Sequence, residues 1–372
     1  MNVKLFIKRF VLVFFLVLLG LSLAGITTFV IIFKDEFKTL QSLQQVDNYG
    51  MYTMEYSGDY NLDGLLVDGI KNDSEIGRFV IDNLLTFDKC EGVKDLLTDA
   101  FERVDGGCTS FVTRNDEGEI LYGRNYDYIY SPSLVLMTKP ENGYASMSTV
   151  NLNVLGFTSS SLIPLKGRQR LSWYEGALML LTPFLPFDGM NEKGVAISML
   201  TVPEAQPPLD FAKPMLNPTL AIRLILDKAA NVEEAVELLR KYNIYFSGNV
   251  PCHFLIGDAS GESVIIEYLD KEMKVIKSDK PFQTCSNHIE FDDRVGGNGQ
   301  DRCELISNKI TENYNRISND EALSLLSKTG GYDGANDSLQ WSVLYNLTNL
   351  NSEIFAHRKV KDRTFFQLER DN

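Results

Sequence analysis

The chain has 372 residues, 44% hydrophobic and 23% charged, with a formal net charge of -14. That composition is ordinary for one large or two modest globular domains, and the acidic balance excludes a general nucleic-acid binder, which needs clustered Lys and Arg. Five cysteines without a C-x-x-C pair and three scattered histidines give no metal-ligand spacing and call for no cofactor.

The first predicted element is an uncharged run of 24 residues, Phe10 to Phe33. At about 1.5 Å per helical residue it exceeds a hydrocarbon core of about 30 Å. Lys4, Lys8 and Arg9 precede it without an acid, whereas Lys34, Asp35, Glu36 and Lys38 follow it. Residues 1–33 are therefore expected to be an uncleaved signal anchor, a single transmembrane helix with the rest of the chain outside the cell membrane. Residues 34–107 are expected to be a linker and pro-segment, 34–50 being a polar stalk. Within it Tyr52–Tyr56 alternates as a strand, and 74–85 and 93–104 are helical by period.

At Val104-Asp105-Gly106-Gly107-Cys108 the pattern breaks and the chain turns to β. Thr109–Thr113 and Glu119–Tyr122 flank the turn Asn115-Asp116-Glu117-Gly118, a hairpin by its turn residues. Residues 161–187 are apolar. Residues 217–240 form two helices split at Asn231-Val232, the first opened by Asn217-Pro218. Strands are expected over 264–266, 273–276 and 341–347, and helices over 304–314 and 320–328. Helices grouped in runs beside sheet strands indicate an α+β protein rather than regular βαβ alternation.

Cys108 stands at a strand start after two glycines. Were it to become an N-terminus, its α-amine, with a pKa of about 7.7–8, becomes a usable general base. Arg124 and Asp127 follow, the first able to favour a thiolate and the second to hold an ammonium.

The segments Cys108-Thr109-Ser110-Phe111 and Gly123-Arg124-Asn125-Tyr126-Asp127, with Arg and Asp 16 and 19 residues after the Cys, resemble the opening of the choloylglycine hydrolase and acid ceramidase family. Further segments resemble that family in order: Asp188-Gly189-Met190-Asn191-Glu192-Lys193-Gly194, His253 to Asp258 with Gly261 and Glu267, Ser286-Asn287, Arg302, and Trp341 to Tyr345. The resemblance implies a four-layer αββα N-terminal-nucleophile hydrolase over residues 108–372. It also implies self-cleavage before Cys108, as in the ceramidase and acylethanolamine-amidase branch. By the same resemblance Cys108 is the nucleophile, Asn287 the oxyanion donor, Arg124 the thiolate's partner, Asp127 the amine's, and Arg302 a member of the network. His253 and His288 are then structural.

Thr201 stands where bile-salt hydrolases carry a second asparagine, and Cys285 before Ser286-Asn287 also departs from the best-known members. A Cys285–Cys303 pairing is left open. The apolar tract, through Trp173, Leu178, Leu181, Phe184 and Phe187, is the expected acyl-binding surface, with Thr201 beside it. The expected substrate is a small-molecule N-acyl amide such as an N-acylethanolamine or N-acyl amino acid. A conjugated bile-salt hydrolase or penicillin V acylase is the alternative, and a non-catalytic membrane-tethered binding module is a different class of reading.

Overall fold

The computed structural model describes residues 33–82, 107–157, 171–292, 296–333 and 336–369. The apolar run 10–33, the predicted helix 93–104 and residues 161–170 of the apolar tract fall outside them, apart from Phe33. Among the described residues no helix is long and apolar enough to cross a membrane.

The hairpin at Cys108 forms as its turn chemistry requires. Strand β3 (Cys108–Arg114) returns as β4 (Ile120–Asp127), longer than the sequence pattern indicates. Asn115 Oδ1 accepts the Glu119 N–H at 2.8 Å, and Gly118 takes a φ of 86° that few other residues tolerate. Side chains alternate across this pair. Ser110, Tyr122 and Arg124 face a second sheet, while Phe111 and Asn125 face helices.

The smaller sheet continues on both sides of the hairpin. β12 (Gln283–Cys285) pairs with β3. On the other side β13 (Leu339–Asn346), β14 (Asn351–Ala356) and β15 (Thr364–Gln367) follow β4. The larger sheet has nine strands. Its centre runs through β5 (Ser133–Thr138), β6 (Ser146–Asn151), β7 (Pro186–Asn191) and β8 (Ala196–Thr201). It ends on β9 (Cys252–Gly257), β10 (Ser263–Leu269) and β11 (Glu272–Lys277).

Helices close both outer faces. Helix α5 (Pro218–Lys228), capped by Asn217, lies on the larger sheet, where Asn191 Nδ2 donates to the Leu226 and Ala229 carbonyls that the helix end leaves free. Helices α7 (Gln300–Glu312) and α8 (Asn319–Thr329) cover the smaller sheet over Phe111, Leu121, Ile306, Leu323 and Leu326. The order helix, sheet, sheet, helix is the expected α+β sandwich.

Residues 34–56, read from sequence as stalk and linker, are built into this frame. Helix α1 (Lys34–Ser42) leads to β1 (Gln44–Gln45) and β2 (Met51–Tyr56), and β2 pairs in parallel with β5 to form the larger sheet's edge. Short helices α2 (Leu62–Asp68) and α3 (Ser74–Val80) follow, and residues 83–85 of the pattern over 74–85 lie outside the described residues. Tyr60 and Phe79 set their rings edge-on to Phe184.

Tyr60 also reaches a buried ion pair. Arg223 Nη1 lies 3.1 Å from Asp227 Oδ1, one helical turn along α5, with both side chains sealed from solvent. Arg223 is satisfied further by Pro183 O and the hydroxyls of Ser146 and Ser148, and Tyr60 donates to Asp227 Oδ2 at 2.6 Å. Hydrogen bonds to a buried charge contribute about 1.5–3 kcal/mol. Tyr60→Phe, which keeps the ring packing, should lower the free energy of unfolding by that amount in a denaturant titration. A loss under about 0.5 kcal/mol would show that the N-terminal segment is not tied in through this bond.

Candidate active site

Register carries the site together. β12 runs antiparallel to β3 with Cys285 opposite Ser110, so two more residues along the same register bring Asn287 across from Cys108. Asn287 Oδ1 accepts the Cys108 backbone N–H at 2.5 Å. On the other side Cys108 lies opposite Tyr126 and Ser110 opposite Arg124. Period-two alternation thus turns the Cys108 and Arg124 side chains to one face.

Arg124 is wholly buried. It donates from Nη2 to Met199 O at 2.8 Å, and its Nε lies 3.8 Å from Asp188 Oδ2. Burial works against its charge, but Cys108 and Asp188 outweigh burial and hold it more firmly protonated than a free guanidinium. Asp188 is fixed by Trp341 Nε1 at 3.1 Å and Tyr345 OH at 2.7 Å. Its pKa is raised by burial, against the pull of Arg124. Asp188 is the first residue of the segment noticed in the sequence, where it received no role; the signal was there without a partner to explain it.

The bond before Cys108 is held as closely as the residue itself. The Asp127 backbone N–H donates to Gly107 O at 2.8 Å, and Ser286 Oγ donates to Cys108 O at 2.8 Å. Arg302, in the first turn of α7, donates from Nη2 to Asn287 Oδ1 at 2.8 Å and Ser286 Oγ at 2.9 Å, and from Nη1 to Asp127 Oδ2 at 3.3 Å. A Cβ on Gly107 would overlap Arg302 Nη1 and lie 2.8 Å from Asp127 Oδ2, so a side chain there would have to push these groups aside. Asp127 Oδ1 is buried without a partner among the described residues.

Thr201 also arrives at the site. Asn287 Nδ2 donates to Thr201 O at 2.8 Å and to Thr201 Oγ1 at 2.9 Å. Phe187 stacks edge-on to Tyr126 and Trp341 at 5.3 and 6.5 Å, forming an aromatic wall next to the strand pair that carries Cys108. Leu178, Leu181 and Phe184 belong to the same large buried core that holds Cys108. Phe184 packs on Tyr60 and Phe79. Trp173 opens helix α4 (Trp173–Met179).

Cys285 and Cys303 do not pair; both are free, buried thiols. Cys285 Sγ lies 3.2 Å from His253 Nε2, which also meets Ser286 O at 2.7 Å. His253 Nδ1 faces Glu267 Oε1 at 3.0 Å in full burial. Burial alone would raise the Glu267 pKa, but His253 and the backbone N–H groups of Glu290 and Phe291 turn the net shift downward. A cleft opens beside Gly107, lined by Asn298, Arg302, Thr329, Gly331 and Ser338, and its walls are mostly polar.

The family model described as linear amide C–N hydrolases, choloylglycine hydrolase family, matches residues 108–321. A penicillin V acylase from Pectobacterium atrosepticum is 32% identical over 131 residues, which cover 30% of this chain and 35% of that protein. A bile salt hydrolase/transferase from Clostridium perfringens is 25% identical over 209 residues, covering 52% of this chain and 57% of that protein. These alignments therefore span about a third and little more than half of the curated relatives' lengths. Among solved structures, a conjugated bile acid hydrolase from Clostridium perfringens superposes with a TM-score of 0.52 at 16% identity, over 71% of this chain and 93% of that one, a likeness of fold.

Asp127 generates a pH prediction for the uncleaved chain. Burial raises its pKa from 3.8 to about 6, against Gly331 N–H, Arg302, Arg124 and Arg358. The folded state thus holds this proton more tightly than the unfolded state does. Its contribution is fully present below pH 3.8 and is lost as pH rises through about 6. In a Cys108→Ala background that keeps the chain whole, Asp127→Asn should gain thermal stability relative to Asp127 as pH rises across that window. A difference in melting temperature that stays constant from pH 4 to pH 7 would contradict the assignment.

Proposed function

The chain belongs to the choloylglycine hydrolase family of linear amide C–N hydrolases, and from the geometry at Cys108 we propose that it cleaves itself before that residue and then hydrolyses N-acyl amides. The observation that carries this reading is the pairing of the Cys108 backbone nitrogen with Asn287 Oδ1 while Asp127 N–H holds the Gly107 carbonyl.

In the uncleaved chain the Cys108 thiol adds to the Gly107 carbonyl carbon, and Asp127 N–H receives the developing oxyanion. The C–N bond breaks, its nitrogen takes a proton, and a Gly107–Cys108 thioester remains. Water hydrolyses that thioester, leaving a Gly107 carboxylate, a free thiol and a new α-amine. Asp127 Oδ1, buried and unpartnered among the described residues, is suited to accept from the ammonium form of that amine.

The amine then serves as general base for the thiol, which attacks the substrate's amide carbon. Arg124 stabilises the thiolate. Asn287 Nδ2 and the Thr201 hydroxyl are the oxyanion donors, with Arg302 fixing the Asn287 amide by its other end. The ammonium protonates the departing amine, and water cleaves the acyl thioester with the amine again as base.

For the acyl group we favour an apolar chain, as in lipid amides. Its support is the wall of Tyr126, Trp341 and Phe187. A second reading, conjugated bile acids or penicillin V, is favoured by the relatives named above. The uncharged run Phe10–Phe33 supports anchoring to a membrane with the enzyme outside; removing residues 1–33 should then move the protein from the membrane fraction to the soluble fraction.

Release of free amine from long-chain N-acyl amides, conjugated bile acids and penicillin V separates the two substrate readings. A rate that rises with acyl length supports the first, and a flat response with preference for bile conjugates rejects it. Asn287→Ala should lower kcat by about a hundred- to a thousandfold if the side chain stabilises the oxyanion; a near wild-type rate excludes that role. Gly107→Ala displaces the flexible Arg302 end rather than the backbone, so it should fold yet cleave itself more slowly on a denaturing gel. Cleavage at the unaltered rate would remove Arg302 from the self-processing step.

A further inference from the structure

The turn after Asn287 gathers a second set of chemistry-bearing side chains. His288 lies on a two-residue ribbon paired with Gly297–Asn298, and its Nε2 is 2.8 Å from Glu290 Oε1. Cys303 lies in the first turn of α7 and is a free, buried thiol. A His288 ring nitrogen, a Glu290 carboxylate oxygen and Cys303 Sγ all lie within 4.8 Å of one another. That contact accounts for Nε2 only. His288 is 8% exposed, yet its Nδ1 is buried with no partner among the described residues. A buried polar atom left without a partner costs about 1–3 kcal/mol, so a site that retains one calls for a ligand. None of the three side chains serves in the amide chemistry.

We propose that His288, Glu290 and Cys303 form a binding site for a borderline-soft divalent cation, with Zn²⁺ the best match. The donor set decides the class. Mg²⁺ and Ca²⁺ take oxygen ligands, whereas imidazole with a thiolate selects Zn²⁺ and its analogue Co²⁺. Tetrahedral bonds of about 2.0 Å to nitrogen and 2.3 Å to sulfur set the donors about 3.5 Å apart. Closing from the present separation takes movement on the order of an ångström, which the partly buried Glu290 can supply. Three protein ligands leave the fourth position to water. Binding releases the Cys303 thiol proton to solvent and forms the metal–sulfur bond, with no change of oxidation state.

Position gives the site its consequence. His288 follows Asn287 and Cys303 follows Arg302 in the chain. A cation bound there staples the turn that carries Asn287 to the helix that carries Arg302, whose Nη2 already meets Asn287 Oδ1. It stabilises the folded chain without touching the reacting atoms.

The test uses the uncleaved Cys108→Ala full chain, stripped of metal, so that the Cys108 thiol cannot act as a rival ligand. Because this protein is inactive, failure here leaves the amidase reading untouched. Zn²⁺ should bind with one equivalent per chain, release a proton and raise Tm, while Mg²⁺ should do none of these. Co²⁺ should produce a thiolate-to-metal absorption band. Cys303→Ser in the same background should abolish that band and weaken Zn²⁺ by more than about tenfold. Glu290→Gln, at a partly exposed position that does not threaten folding, should weaken Zn²⁺ and keep the band. No stoichiometric Zn²⁺ binding, a band that survives Cys303→Ser, or unchanged affinity in Glu290→Gln would overturn the assignment.

Discussion

The architecture around the site depends on one hydrogen bond, from the Cys108 backbone N–H to Asn287 Oδ1. A side-chain amide has one carbonyl and one NH₂ group, so fixing one end fixes the other. With Oδ1 committed to Cys108 and Arg302, Nδ2 must point at Thr201. The same Arg302 steadies Asp127, whose backbone N–H holds the Gly107 carbonyl. Both sides of the Gly107–Cys108 bond are therefore tethered through a closed circuit of five residues, Cys108, Asn287, Arg302, Asp127 and Gly107.

That circuit lies at the rim of a deeply buried charge arrangement. Arg124 and Asp188 are both sealed between the sheets, where an unpaired charge would be prohibitive. Asp188 takes two neutral donors from β13 and lies 3.8 Å from the guanidinium, which donates to the Met199 carbonyl. The larger sheet and the smaller sheet, through the hairpin that carries Cys108, are thus coupled at one place. A positive charge held rigidly in a dry interior is worth more to a developing thiolate than one exposed to water.

Much of this was legible in the sequence because it is local. The spacing of Arg124 and Asp127 from Cys108 is the arithmetic of one tight hairpin, and the turn residues Asn115 to Gly118 announce that hairpin. Asn217-Pro218 and Asn231 marked both helix starts correctly, since capping acts over three residues. What the sequence hid is long-range. The strand at Tyr52–Tyr56 could be read, but its parallel partner Ser133–Thr138, some eighty residues away, could not. Hydrophobicity likewise cannot separate a core from an acyl pocket: Leu178, Leu181, Phe184 and Phe187 all belong to one buried core, and Phe187 also sets its ring edge-on to Tyr126. The His288, Glu290 and Cys303 cluster has no sequence signature, because α7 folds back to deliver its third member.

The central claim is that this geometry breaks the Gly107–Cys108 bond, and the intact mass of the purified wild-type protein tests it most directly. The account predicts a large fragment comprising residues 108–372 with a free Cys108 amine at its start, absent from the Cys108→Ala protein. A wild-type protein that hydrolyses N-acyl amides while remaining uncleaved, or a fragment beginning at any other residue, would contradict it.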